Sequence, residues 1–131
     1  MPPLKRLLLL ALLVLAACGG RPAADDSTFH AAVQAGRAGA EVTFDATVRA
    51  DPVRSGTHEH LHTEAATGEQ VEIDHNLDLA GWVPAHAGDR LVVHGQLYID
   101  AGRVGVHCTH AHTSRGCPDP GWIELGQSIY E

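Results

Sequence analysis

From position 41 onwards, apolar and polar residues alternate with a period of two in five separate segments. Turn-forming residues separate most of these segments, and an irregular stretch at 76–89 interrupts the series between the third and the fourth. Period two is typical of strands with one buried face, and five strands with this interruption follow the plan of the OB-fold. We therefore predict an all-β protein, a small five-stranded OB-like barrel with a short N-terminal helix. An open antiparallel sheet or a small sandwich is the alternative.

The first 17 residues have the layout of a cleaved lipoprotein signal peptide. Lys5 and Arg6 precede an apolar run at 7–17, which is too short to cross a bilayer. The sequence Leu-Ala-Ala-Cys at 15–18 resembles a bacterial lipobox, in which Cys18 becomes the lipid-modified first residue of the mature chain. Because Gly19 follows this cysteine, we expect a lipid anchor in the outer membrane, with the domain facing the periplasm. An ordinary signal followed by a chance cysteine is the alternative.

The rest of the chain is predicted to be one anchored domain. Residues 18–26 are small and polar, as expected of a lipidated N-terminus and a flexible tether, and residues 27–131 are enough for a single OB-like domain. Without Lys5 and Arg6, seven basic residues face sixteen acidic ones, a net charge of −9. Nucleic acids are bound through clustered Lys and Arg, so this charge argues against a nucleic-acid partner. All ten histidines lie in the mature part.

The predicted elements follow in order from the tether. Ser27 is a candidate N-cap, Phe29, Ala32 and Val33 have helical spacing, and Gly36 ends the helix. The five strands are predicted at 41–50, 58–63, 71–75, 91–99 and 104–108, with turns at 52–56, 66–68 and 100–102. The tail carries enough apolar residues between 122 and 130 to dock on the barrel.

The first predicted hairpin sets which residues lie opposite each other on the second and third strands. Its centre near position 67 places His58 opposite Asn76 and Glu59 opposite His75. Alternation along the strands then places His75 on the side of the wall away from His58, unless a bulge redirects one of them.

A second predicted hairpin, centred near position 101, places His94 opposite Cys108. In an OB barrel the third and fifth strands lie side by side and run parallel, so their carboxyl ends meet at one mouth of the barrel, beside the starts of the second and fourth strands. The histidines that we expect at this mouth are His58, His75, His94, His107 and His110.

Two cysteines are left once Cys18 is assigned to the lipid. Eight residues lie between Cys108 and Cys117, and the periplasm is an oxidising compartment in which thiols tend to pair. We expect a disulfide between them. The alternatives are two metal-ligating thiolates, or a buried Cys108 that never meets Cys117.

Several short segments between positions 40 and 131 carry a family resemblance. The more specific ones are the run His-Asn-Leu-Asp-Leu-Ala at 75–80 and the pattern His-x-Thr-His at 107–110. They resemble the bacterial exported family labelled domain of unknown function 3465, which implies no particular activity. Cys108 replaces the aromatic residue usual in that family, and Cys117 is a further departure, which favours a disulfide over a shared thiolate site. The matched positions are His58, His75, Asn76, His107, Thr109, His110 and Trp122.

The clustered histidines point to metal chemistry. Imidazole is a common ligand of transition metals, and histidines that converge on one mouth predict a site for Zn or Cu. We assign this site to His58, His75, His107 and His110. The function expected is a binding module of the cell envelope whose partner is an envelope protein, a glycan or a metal.

Two other function classes stay open. A zinc ion with three histidine ligands and an open position is a hydrolytic geometry, with Glu59 or Asp74 as a base, although no HExxH motif is present. A structural accessory protein without a small-molecule site is the second. The sequence therefore assigns no catalytic residues and leaves open whether the protein is an enzyme.

Overall fold

Eight strands and one helix make up the part of the chain that the computed structural model describes, residues 20–131. They are α1 (Asp26–Gln34), β1 (Glu41–Val48), β2 (Val53–Ser55), β3 (His58–Ala65), β4 (Gln70–Asn76), β5 (Arg90–Asp100), β6 (Arg103–His107), β7 (Trp122–Leu125) and β8 (Ser128–Tyr130). The predicted signal peptide at 1–17 and the predicted lipidation site, Cys18, lie outside the described residues. Within 20–131, no helix has both the length and the apolar character needed to span a membrane.

A closed barrel of five strands confirms the predicted fold class. Its strands are paired in the order β1, β3, β4, β6, β5, and β5 returns to pair with β1 along seven residue pairs, from Glu41 opposite Gln96 to Thr47 opposite Arg90. Only the contact between β4 and β6 is parallel, as predicted for the third and fifth strands of an OB barrel. The first hairpin has the predicted register, with His58 opposite Asn76.

The second hairpin differs from the prediction by one residue. Its turn is formed by Ala101 and Gly102 together, both with positive φ (48° and 77°), so the centre falls between them rather than on Ala101. A two-residue turn of this kind suits the twist of antiparallel strands. As a result Gln96 lies opposite His107, and the prediction that His94 faces Cys108 was wrong.

The chain after β6 explains where His94 goes instead. The first part of β5 leaves β6 and pairs with β7, which places His94 opposite Trp122. β8 then folds back on β7, so the tail docks on the barrel as predicted, in the form of a hairpin. The short β2, which pairs with β3, occupies positions where a turn was expected.

Helix α1 begins two residues earlier than the sequence indicated. Asp25, not Ser27, is the N-cap, and its carboxylate accepts a hydrogen bond from the Thr28 amide. Phe29 on the helix stacks on Phe44 of β1, with ring centroids 4.1 Å apart and both side chains fully buried. The helix is therefore fastened to the barrel core by an aromatic pair.

Alternation along the strands divides the side chains between a core and an outer surface. Every second residue of β1, β4 and β5 is buried, among them Val42, Phe44, Ile73 and Leu97. The intervening residues face outward and include most of the strand histidines and carboxylates. The structure therefore has an apolar interior and a titratable exterior, with few exceptions.

A disulfide joins Cys108 to Cys117, as predicted, with their Cα atoms 5.4 Å apart. Cys108 has a positive φ of 57° directly after β6, where the chain leaves the barrel wall. The bond closes the loop that connects β6 to β7. It therefore restrains the first part of that loop, next to the end of β6.

Replacing both Cys108 and Cys117 by Ser is expected to lower the free energy of unfolding by about 2–3 kcal/mol, because a cross-link that closes a loop of this length restricts the unfolded chain. Denaturant unfolding with and without the substitutions measures the change, and Arg115→Ala, in the same loop, is the control. Equal stability of the wild type with and without a reducing agent would contradict the prediction.

Candidate metal centre

The four histidines predicted as metal ligands gather near one end of the barrel but lie in different layers. His58 and His107 are half-buried on the outer face, His75 is fully buried inside, and His110 is buried in the loop after β6. Burial lowers the pKa of His75 and of His107, and the neighbouring His58 and His110 lower both further.

Both ring nitrogens of His75 are engaged by the protein. Nε2 lies 2.9 Å from the carbonyl oxygen of Gly81, so Nε2 carries the proton and donates. Nδ1 lies 2.8 Å from Oγ1 of Thr109 and accepts the hydroxyl hydrogen. Burial lowers the pKa of His75, which keeps the ring neutral in this arrangement. His75 therefore has no free lone pair for a metal. Its hydrogen bonds instead join β4 to the segment 76–89, which we call the connector, and to the loop after β6.

Glu59, opposite His75 on β3, fastens the same connector from the other side. It is fully buried, and Oε2 accepts a hydrogen bond of 2.8 Å from the Val83 amide, while Oε1 has no partner. Burial raises the pKa of Glu59 to about 7, against the lowering effect of the Val83 hydrogen bond. The connector between β4 and β5 is thus held over the mouth by two inward polar side chains, and Val83 itself is fully buried.

The other residues singled out by the sequence resemblance have structural contacts in this region. Asn76 accepts a hydrogen bond from the Asp78 amide as the connector begins. Trp122 stacks on His94 with ring centroids 5.7 Å apart. Nδ1 of His110 bonds to the carbonyl oxygen of His112 at 2.7 Å. These contacts give the matched residues roles in shaping the mouth.

A different set of residues meets the geometric requirement for a metal ion. Among residues 20–131, the one group of three or more His, Cys, Asp or Glu side chains with candidate ligand atoms all within 4.8 Å of one another is His60, Glu72 and Asp74. Their positions follow from the first hairpin, in which His60 lies directly opposite Asp74 on the outer face. We call this group the outer-face cluster.

One oxygen of the outer-face cluster is left without a partner. Nδ1 of His60 forms a hydrogen bond of 3.0 Å with Oε1 of Glu72. Oδ1 of Asp74 lies 2.7 Å from the same nitrogen, an ion-pair contact when the ring is charged, and it forms no hydrogen bond although it is shielded from solvent. A buried carboxylate oxygen without a partner is costly. A cation bound between these three atoms would remove that cost.

Tyr98 holds the other oxygen of Asp74. Its hydroxyl donates a hydrogen bond of 2.6 Å to Oδ2, and burial together with this bond raises the pKa of Tyr98, so the phenol keeps its proton. The ring lies against the bare backbone of Gly105, where an added Cβ would come within 2.0 Å of a ring carbon. Tyr98 therefore orients Asp74 with Oδ1 turned toward His60.

The surroundings of the cluster leave it open on one side. The side chains of His60 and Asp74 are 25% and 22% exposed, which leaves room for water or another ligand on a bound ion. His62 is a further imidazole nearby, with Nδ1 3.6 Å from Oε2 of Glu72. A groove of about 480 Å³ borders the cluster and is lined in part by His62, Glu72 and Tyr98.

No protein-family model, no curated protein and no solved structure matches this chain. The geometry of the site is therefore the basis for any function assigned to it.

Replacing Thr109 by Val is expected to destabilise the protein by about 1–3 kcal/mol, because it leaves Nδ1 of the buried His75 without a donor. Thr109→Ser keeps the hydroxyl and loses only a methyl group, about 1 kcal/mol. Denaturant unfolding of both variants measures the difference. A valine variant as stable as the serine variant would show that the hydrogen bond to His75 is unimportant.

Glu59 is expected to make stability depend on pH. The folded state binds this proton more tightly than the unfolded state, whose carboxyl has its ordinary pKa of 4.5, so the free energy of unfolding falls as pH rises from 4.5 to about 7. Relative to Glu59→Gln, the wild type should lose on the order of 2–3 kcal/mol between pH 4 and pH 8. The measurement is unfolding at each pH in a chelating buffer.

The matched control is Glu124→Gln, a half-exposed glutamate on β7. It should stay parallel to the wild type across the same pH range. A constant difference between the wild type and Glu59→Gln at all pH values would contradict a protonated Glu59 in the folded state.

Proposed function

We propose that this protein is an envelope lipoprotein whose OB-like barrel binds a divalent transition metal on the outer-face cluster of His60, Glu72 and Asp74. This proposal keeps the metal-binding module expected from the sequence and moves the ligands from the mouth histidines to the outer face. The observation that carries it is the convergence of an imidazole nitrogen and two carboxylate oxygens, one of them buried without a hydrogen bond, within 4.8 Å.

The donor set favours zinc or copper. An imidazole selects for Zn, Cu, Ni or Fe over Mg or Ca, and two carboxylates neutralise the charge of a divalent ion. Three protein ligands leave at least one coordination position for water or a partner, with His62 close enough to supply a fourth ligand after a change of rotamer. A partly exposed site of this kind suits a metal that enters and leaves.

The hydrogen bond from Tyr98 to Asp74 supports the same assignment. Ligands of metal sites are commonly held by further hydrogen bonds, which fix the orientation of the ligating atom. Here the phenol occupies Oδ2 and leaves Oδ1 facing His60. By contrast, His75 in the mouth uses both of its ring nitrogens in hydrogen bonds to protein atoms.

The cellular setting proposed is the periplasmic side of the outer membrane. The lipobox-like sequence ending at Cys18 and the disulfide between Cys108 and Cys117 are both consistent with export to an oxidising compartment. Membership of the exported family of unknown function named above belongs to the same proposal, and the net negative charge of the mature chain supports cationic rather than nucleic-acid partners.

A metal-dependent hydrolase is the second candidate, and the adjoining groove of about 480 Å³ favours it. A metal ion with an open position beside such a groove would activate water next to a bound substrate. Of the two bases expected from the sequence, Glu59 points into the barrel and Asp74 belongs to the cluster. Hydrolysis of a generic ester or phosphoester by the zinc-loaded protein, lost in Asp74→Asn, would select this candidate.

Zinc or copper is expected to bind the untagged protein with a stoichiometry of one, and His60→Ala and Asp74→Asn are each expected to weaken binding about tenfold or more, roughly 1.4 kcal/mol or above. Calorimetric titration measures the affinity, and metal analysis measures the stoichiometry. His86→Ala is the matched control, since His86 is an exposed histidine whose ring, among residues 20–131, forms an ion pair with Asp51 alone, and it should leave binding unchanged.

His107→Ala and His110→Ala test the earlier assignment to the mouth. Under the proposal they leave metal affinity unchanged. Loss of binding in these variants, with binding retained in His60→Ala, would return the site to the mouth. Absence of stoichiometric metal in every form of the protein would leave a structural or protein-binding role.

A further inference from the structure

A second unpartnered carboxylate lies on another strand of the barrel wall, outside the outer-face cluster. Both oxygens of Glu41, the first residue of β1, are shielded from solvent and have no hydrogen-bond partner. The side chain as a whole is 24% exposed, so the exposed part is its aliphatic stem. The carboxylate group itself is therefore buried and unsatisfied, a costly state for the protein in the absence of a ligand.

The neighbours of Glu41 do not neutralise its charge. Burial raises the pKa of Glu41, and the nearby carboxylate of Asp119 raises it further. Nε2 of His94 lies 3.6 Å from Oε2, too far for a hydrogen bond. Burial lowers the pKa of His94, so this imidazole is not a ready cation. Arg21, the arginine among the residues that line this region, is paired with Glu131 at 2.8 Å.

These groups line a cavity of about 780 Å³, which we call the Glu41 cavity. Glu41 and Asp119 supply negative charge, and Trp122, with Pro22 and Pro120, supplies apolar surface. The cavity is much larger than a metal ion.

The aromatic wall of the Glu41 cavity is rigidly placed. His94 and Trp122 stack with an angle of 14° between their rings, and Nδ1 of His94 lies 2.7 Å from Oγ1 of Thr43. Before Trp122 the chain passes so close to the loop after β6 that a Cβ on Gly121 would lie 2.0 Å from the carbonyl oxygen of Cys108. The ring and the carboxylates are thus positioned by the fold without a ligand.

The spacing of the polar groups distinguishes between an inorganic and an organic cation. A metal ion holds its ligands at about 2.1 Å, whereas an ammonium nitrogen stands about 2.9 Å from each acceptor and reaches acceptors that lie farther apart. In the described part of the chain, the outer-face cluster alone has three candidate ligand atoms at metal spacing, and Glu41, His94 and Asp119 do not. An ammonium group suits these carboxylates, and an aromatic ring attracts cations.

We propose that the Glu41 cavity binds an organic ammonium ion, with its nitrogen between the carboxylates of Glu41 and Asp119 and its apolar body against Trp122. The ligand class is a primary amine with a compact apolar group. This site is separate from the outer-face cluster and does not depend on the proposed metal function.

Benzylammonium is a suitable probe, and Trp122 is a built-in reporter. The protein has two tryptophans, and the other, Trp82, is 42% exposed in the connector, so Trp82→Phe leaves Trp122 as the single source of tryptophan fluorescence. In a chelating buffer, benzylammonium should change this fluorescence saturably. Benzyl alcohol and benzoate, which match its size without the positive charge, should bind at least tenfold more weakly.

Glu41→Gln and Asp119→Asn should each weaken benzylammonium binding about tenfold or more, and Glu124→Gln, on the same strand as Trp122 but outside the cavity, should not. Unchanged thermal unfolding shows that a variant is folded. Weaker binding in both folded variants shows that both carboxylates contribute. Equal binding of benzyl alcohol, unchanged affinity in both folded cavity variants, or no saturable response would overturn the proposal. In a separate titration without chelator, displacement of benzylammonium by one equivalent of zinc would also overturn it, in favour of a metal.

Discussion

The closed wall of the barrel is the constraint on which the other features depend. Once β5 pairs with β1, the sheet has no free edge within the five-stranded ring, and each strand residue faces either the core or the surroundings. The side chain of a strand histidine therefore points either into the core or outward, depending on its position in the alternation. His75 is enclosed, neutral and hydrogen-bonded at both ring nitrogens, whereas His60, opposite Asp74, faces outward with Nδ1 in contact with two carboxylates.

The two sides of the wall use their polar residues differently. Inside, Glu59 and His75 hold the connector over the mouth and close the core with hydrogen bonds. Outside, polar side chains on adjacent strands form a row from His60 and Asp74 to His107 and Gln96, and the last two are hydrogen-bonded at 2.9 Å. The unsatisfied carboxylate oxygens at Asp74 and Glu41 lie at two places on this outer surface, and both proposals follow from them.

Much of the fold was predictable because strand alternation and turn residues are local signals. The first hairpin, the parallel third and fifth strands and the disulfide were all confirmed. The second hairpin was displaced by one residue because Ala101 shares its turn with Gly102, a detail of backbone conformation that composition does not reveal. The outer-face cluster was within reach, since the predicted register already set His60 opposite Asp74. We assigned the metal site to the mouth instead, because several histidines lie close together in the sequence after β6. The unpartnered oxygens and the Glu41 cavity depend on side-chain packing between distant segments, which the sequence does not display.

The location of bound zinc is the most direct test of whether the outer-face cluster is the metal site. Crystals grown with one equivalent of zinc, with diffraction data collected on both sides of the zinc absorption edge, give the ion's position without reference to any mutation. Metal binding at the outer-face cluster predicts one anomalous peak on the outer face, within about 2.0–2.2 Å of Nδ1 of His60 and an oxygen of Asp74. A peak on His107 or His110, or no ordered zinc at all, would contradict it.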